Sequence, residues 1–167
     1  MNLKDFKVVF AGCARDCSNF LPKTLDNIRY YSSLFGESYT VIVENGSVDT
    51  TKDILNKNQK KNDKFLFCDH FNNFPYRGQR LEKGRNLILE TIKQDKKLRN
   101  CDLLIIIDLD DVGTNSILRA LKYLVADGLG QLGLRGPLGN ATEVKARAQV
   151  VRHETEDVDR PAVVFYC

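Results

Sequence analysis

The sequence predicts an α/β fold: a doubly wound, mostly parallel sheet with helices on both faces. Its apolar runs KVVFAGC (7–13), YTVIV (39–43), KFLFC (64–68) and LLIII (103–107) are separated by segments with apolar residues at helical spacing. Strand and helix alternating in this way is the order that winds a parallel sheet. The run from Leu103 to Ile107 is continuously apolar between polar neighbours, the composition of a strand covered on both faces.

The first strand, Lys7 to Cys13, precedes a helix that Ser18 or Asn19 can cap, with Pro22 tolerated in its first turn. Leu21, Leu25, Ile28 and Leu34/Phe35 form that helix's apolar stripe, and Gly36 ends it. The second strand, Tyr39 to Val43, runs into Glu44-Asn45-Gly46-Ser47, where Asn-Gly is a turn dipeptide. Asp49 or Thr50 then caps a polar helix carrying Ile54 and Leu55. After the third strand, Lys64 to Cys68, a helix from Arg80 to Lys96 places Leu81, Gly84, Ile88 and Ile92 on one face. The fourth strand ends in Asp108-Leu109-Asp110-Asp111.

Beyond Val112 the composition shifts from Lys and Asn towards Gly, Ala, Val and Arg. Asn115 to Ala126 reads as an amphipathic helix, residues 127–140 are glycine-rich and unpatterned, Glu143 to His153 reads as a helix, and Ala162 to Tyr166 as a short strand. This divides the chain into a domain at 1–126 and an atypical C-terminal segment at 127–167, expected to be foreign to the ancestral domain.

With 43% hydrophobic and 28% charged residues, the chain has the make-up of an ordinary globular domain. A net charge of +3, and a densest basic stretch (Asn56 to Lys64) that reads as a solvated loop, argue against a nucleic-acid partner. No run approaches the ~18 apolar residues of a membrane span, and the first residues carry Asp5 instead of a secretory core. The expectation is a cytoplasmic chain without an integral membrane segment. Cysteines 13, 17, 68, 101 and 167 are scattered, which favours reduced thiols, and His70 and His153 lack a neighbour at metal-ligand spacing.

The chemistry concentrates where strands end. In extended backbone Asp108 and Asp110 point the same way while Leu109 points into packing. Two bare carboxylates about 4 Å apart repel by roughly 4 kcal/mol at an effective dielectric of about 20, so such a pair takes up a proton or recruits Mg²⁺ or Mn²⁺. The competing reading is that these aspartates simply cap the following helix, with Thr114 or Asn115 at its start. Ala14-Arg15-Asp16, Glu44 to Asp49, and Arg85 with Asn86 add polar groups at corresponding positions along the chain, where open α/β sheets bind ligands.

These segments resemble the nucleotide-binding half of a GT-A-fold glycosyltransferase of the capsule or polysaccharide type, a Rossmann-related fold. The resemblance spans about residues 6–112. It rests on Gly12-Cys13-Ala14-Arg15, on Glu44-Asn45-Gly46-Ser47-Val48-Asp49-Thr50-Thr51, on RLEKGRN at 80–86 with Gly84 where alanine is common, and on Asp108-Leu109-Asp110. It implies a nucleotide-diphosphate sugar (UDP- or GDP-sugar) held by Arg15, Glu44, Asn45, Ser47, Asp49, Arg80, Arg85, Asn86 and Asp108. Mn²⁺ or Mg²⁺ would be held by Asp108, Asp110 and Asp111, and the sugar would pass to a glycan or other acceptor. Such enzymes continue into an acceptor-binding half, for which Glu156 and Asp157 are the late acidic candidates here. Two alternatives therefore stand: a non-catalytic nucleotide-sugar-binding remnant, and a haloacid-dehalogenase-like phosphatase with Asp108 as nucleophile and Asp110 as acid/base.

Overall fold

The computed structural model describes residues 2–109, 147–151 and 162–166. After a short 3-10 turn at Leu3–Asp5 come β1 (Lys7–Ala14), α1 (Leu21–Ser32), β2 (Glu37–Glu44), α2 (Thr51–Asn58) and β3 (Asp63–Phe67). A second 3-10 turn at Asp69–Asn73 leads to α3 (Arg77–Gln94), α4 (Lys96–Arg99) and β4 (Leu103–Ile106), and β5 (Arg147–Val151) and β6 (Ala162–Tyr166) complete the described elements. The sheet order is β3-β2-β1-β4-β6-β5. β3, β2, β1 and β4 are all parallel to their neighbours, β6 joins β4 in parallel, and β5 runs antiparallel to β6. This is the predicted α/β architecture, a Rossmann-like parallel sheet with flanking helices.

Alternation along β1 builds two cores. Val8 and Phe10 face Leu21, Leu25 and Ile28 of α1 and Leu55 of α2, with Ile42, Ile105 and Ile107 in the same cluster. Val9 and Ala11 face the other way, towards Ile88 of α3 and Leu98, with Val41, Val43, Leu104 and Ile106. Each fully buried Leu, Ile, Val or Phe contributes roughly 1.5–3 kcal/mol, so over β1 to β4 neither sheet face is a free surface for ligand. The polar carboxyl edge is left for that task.

Several boundaries differ from expectation. The helix read at Glu143 to His153 is a strand over Arg147–Val151, because Val150 and Val151 pair with Val163 and Ala162 in an antiparallel ladder, and long-range pairing overrides a weak helical pattern. α1 begins at Leu21 with Phe20 in the capping position and no side-chain cap, so neither Ser18 nor Asn19 caps it. α3 starts at Arg77, directly after Pro75-Tyr76, and stops at Gln94 because the Asp95 side chain accepts from the Lys97 and Leu98 amides and opens α4. The predicted 115–126 helix, its candidate first residues Thr114 and Asn115, the 127–140 stretch, and Asp110, Asp111, Glu156 and Asp157 lie outside the described residues. No helix among the described residues is long and apolar enough to cross a membrane.

Candidate functional site

Ala14 and Glu44, the last residues of β1 and β2, are register partners. The loops that follow therefore leave the sheet side by side, and hydrogen bonds stitch them together. Asp16 sits in the left-handed region at φ 48, where a short polar side chain is the best tolerated non-glycine residue. Its amide donates to Ser47 Oγ at 3.0 Å and its carboxylate accepts from the Val48 amide at 2.8 Å. Asp49 accepts from Ser18 N–H at 3.0 Å and from Thr51 N–H at 2.9 Å, while the Cys17 amide donates to Thr51 Oγ1 at 3.0 Å. Burial alone would raise the Asp49 pKa, but the bonds from Thr51 and Ser18 outweigh it and bring the carboxyl down to about 2. Ser47 and Asp49, expected to meet a nucleotide, brace the two loops.

Glu44 is similarly withdrawn. Its side chain is wholly buried under the turn, one oxygen accepts from the Ser47 amide, and the other lies 3.9 Å from Lys52 Nζ without a hydrogen bond. Lys52 in turn pairs with exposed Asp69. Gly46, at φ 71, supplies the left-handed residue that the Asn-Gly pair predicts.

Beside these loops opens a cavity of about 240 Å³, lined by Cys13, Arg15, Asp16, Asn45, Arg77, Arg80, Leu81 and Asp108. Arg15 forms one wall. Its Nη1 donates to Asn45 O at 2.6 Å and to Asn72 Oδ1 at 2.7 Å, and its Nε lies 3.4 Å from the Asp16 carboxylate. Arg80 Nη1 donates to the carbonyls of Phe74 (2.6 Å) and Pro75 (3.2 Å), pinning the turn that precedes α3, while its buried Nε has no partner. Asn45 is 2% exposed and its Oδ1 also lacks a partner. Asp108 is exposed at the end of β4 and Leu109 is buried, the alternation the sequence predicts.

The floor is tight because α3 crosses the ends of β1 and β2 at Gly84. A Cβ there would lie 2.7 Å from Cys13 Sγ and 3.3 Å from Asn45 Oδ1. Burial pushes the Cys13 thiol up to about 11, nearby Asp108 adds to the rise, and Arg85 opposes it. Arg85 thus acts electrostatically on the floor without lining the cavity; Asn86 is exposed on α3 and does not line it either. Arg77 is the lining residue that sequence reasoning missed. The Pro75 that sets the helix start just before it was the available signal.

Chemically the cavity presents guanidinium groups suited to phosphate oxygens beside two exposed carboxylates, Asp16 and Asp108. Asp108 fits a hard divalent cation as a single oxygen ligand. Among the described residues no group of three or more His, Cys, Asp or Glu forms a metal cluster, and Asp110 and Asp111 fall outside them. Comparison of the chain with protein-family models, with curated proteins and with solved structures found no match in any of the three.

Proposed function

We propose that the chain binds a nucleotide-diphosphate sugar at this cavity and that its task is glycosyl transfer from that donor to a glycan or other acceptor. One observation carries the reading. All four segments that resemble glycosyltransferase motifs send residues to one cavity: Cys13 and Arg15, Asn45, Arg80 and Leu81, and Asp108. These segments are far apart in the chain, and the parallel strand order brings the three that follow β1, β2 and β4 to one edge of the sheet, where α3 adds the fourth.

In this reading the arginines orient the diphosphate, and Asn45 and Asp108 accept hydrogen bonds from sugar or ribose hydroxyls. Mn²⁺ or Mg²⁺, when bound with Asp108 as one ligand, supplies positive charge to the departing nucleoside diphosphate.

A thermal-shift panel of UDP-, GDP- and CMP-sugars, with and without Mn²⁺, tests it. At 100 times Kd a ligand adds ~2.7 kcal/mol, or roughly 2–8 °C for domains near this size. Asp108→Asn should remove the metal-dependent part of the shift. Silence towards every nucleotide sugar would end the proposal. Sugar transfer to an acceptor separates a transferase from a non-catalytic binder, and phosphate release from a phosphomonoester, lost in Asp108→Asn, would favour a phosphatase instead.

A further inference from the structure

We propose that Asn72, on the turn between β3 and α3, is a positioning residue for the cavity. It holds the Arg15 guanidinium back from the neighbouring Asp16 carboxylate, so that Nη2 stays open to a ligand anion. The proposal deepens the nucleotide-sugar reading and rests on it only for the identity of that anion.

Arg15 and Asp16 are adjacent in sequence and both line the cavity. Neighbours of opposite charge can satisfy each other, and a guanidinium closed two-pronged on a carboxylate has less to offer a phosphate. Here that closure is held off. Arg15 Nη1 donates to Asn45 O at 2.6 Å and to Asn72 Oδ1 at 2.7 Å, Nε approaches Asp16 at 3.4 Å, and Nη2 has no partner among the described residues. Nε and Nη2 share the edge that would close on Asp16. Asp16 is itself fixed, accepting from the Val48 amide at 2.8 Å, so the choice between it and a ligand depends on what holds Nη1. One holder is the backbone carbonyl of Asn45; the other is the Asn72 side chain.

Asn72 stands on a firm base. Its turn, Asp69–Asn73, is anchored by buried Phe71 and by the Lys52–Asp69 ion pair, and the Cys68 amide just ahead donates to Glu44 O at 2.9 Å. The Asn72 amide lies against Gly46, where a Cβ would collide with it. The left-handed glycine of the β2–α2 loop therefore also makes the room in which Asn72 meets Arg15. Asn72 is exposed and does not line the cavity, so it acts on a ligand through Arg15 and not by contact.

The full chain, isotope-labelled in its arginine nitrogens, gives a magnetic-resonance reading without ligand. The Arg15 Nε–Hε signal, assigned by its loss in Arg15→Lys, should shift in Asn72→Ala as the guanidinium closes on Asp16. It should not shift when Asn72→Ala is made in an Asp16→Asn background, a change that keeps the acceptor for Val48 and suits the left-handed backbone. Asn72→Ala removes an exposed side chain bonded to Arg15, so the melting temperature should hold. Calorimetric titration with UDP and Mn²⁺ reads the consequence for binding. Affinity should fall about two- to fivefold in Asn72→Ala, the share that an exposed ion pair can draw away, and should not fall in the Asp16→Asn background.

A signal unmoved in Asn72→Ala, an affinity unchanged by it, or a loss of affinity equal in both backgrounds overturns the positioning role and leaves the nucleotide-sugar reading intact. If the wild type binds no nucleoside diphosphate and no nucleotide sugar, that reading falls, and the Arg15 signal decides the positioning role alone.

Discussion

Gly84→Ala is the sharpest probe of how α3 lies against the cavity floor. The added methyl would sit 2.7 Å from Cys13 Sγ and 3.3 Å from Asn45 Oδ1, where non-bonded heavy atoms prefer about 3.5–4.0 Å. Overpacking of this size costs about 1–3 kcal/mol, and replacing glycine by alanine inside a helix returns about 0.8–1.0 kcal/mol. The substitution should therefore be destabilising by up to about 2 kcal/mol, the balance of those two ranges. In a Cys13→Ala background the closest obstacle is gone, and Gly84→Ala should change sign and stabilise by up to about 1 kcal/mol. Urea unfolding of the wild type, both single variants and the double variant closes a thermodynamic cycle. A coupling of about 1–3 kcal/mol is expected, the size of the overpacking that Cys13→Ala relieves. A coupling below about 0.5 kcal/mol, the ordinary scatter between independent sites, would refute the close approach, as would a stabilising Gly84→Ala in the wild-type background.

Arg29 binds Asp63, whose side chain is 1% exposed, and also reaches Asn58 O at 3.2 Å. Arg29→Met should destabilise by about 3 kcal/mol in urea unfolding, because it leaves a buried carboxylate without its cation. The Asp49 carboxyl falls from 3.8 to about 2 on folding, so the unfolded chain takes up this proton first as pH drops. Its stabilisation is complete above the unfolded pKa and disappears as pH falls through the folded one, within a window of about pH 4 to 2. Denaturation profiles of wild type and Asp49→Asn should therefore differ by on the order of 1–2 kcal/mol at neutral pH, after discounting for partial solvent screening, and converge near pH 2. With its thiol pushed up to about 11, Cys13 should be alkylated at pH 8 roughly a hundredfold more slowly in the folded chain than in the denatured one, read by peptide mass spectrometry.

The parallel sheet was legible because β1, β2 and β4 are nearly continuous apolar runs, a pattern that only two-sided burial rewards. The period of two at Ile107-Asp108-Leu109 likewise placed one side chain in the core and its neighbour in the cavity. What escaped depends on partners distant in sequence. Ser18 looked like a helix cap, yet its amide is engaged by Asp49, and nothing in the local spacing of residues 16–22 encodes that bond. Glu44 and Ser47 read as exposed ligands because turns are usually polar and solvated, whereas Glu44 is turned inward to hold the Ser47 amide. The Arg147–Val151 strand owes its form to a partner strand, and local periodicity carries no record of a partner.

The stitching between the β1–α1 and β2–α2 loops bears on how tightly any ligand is held. Because Asp16, Ser47, Asp49 and Thr51 fix these loops through bonds internal to the chain, the entropy of ordering that side of the cleft is lost at folding and not again at binding. Residues that never touch the ligand therefore set part of its affinity. Ser47→Ala should weaken binding with little change at the contact atoms, and the deficit should appear as a more unfavourable binding entropy.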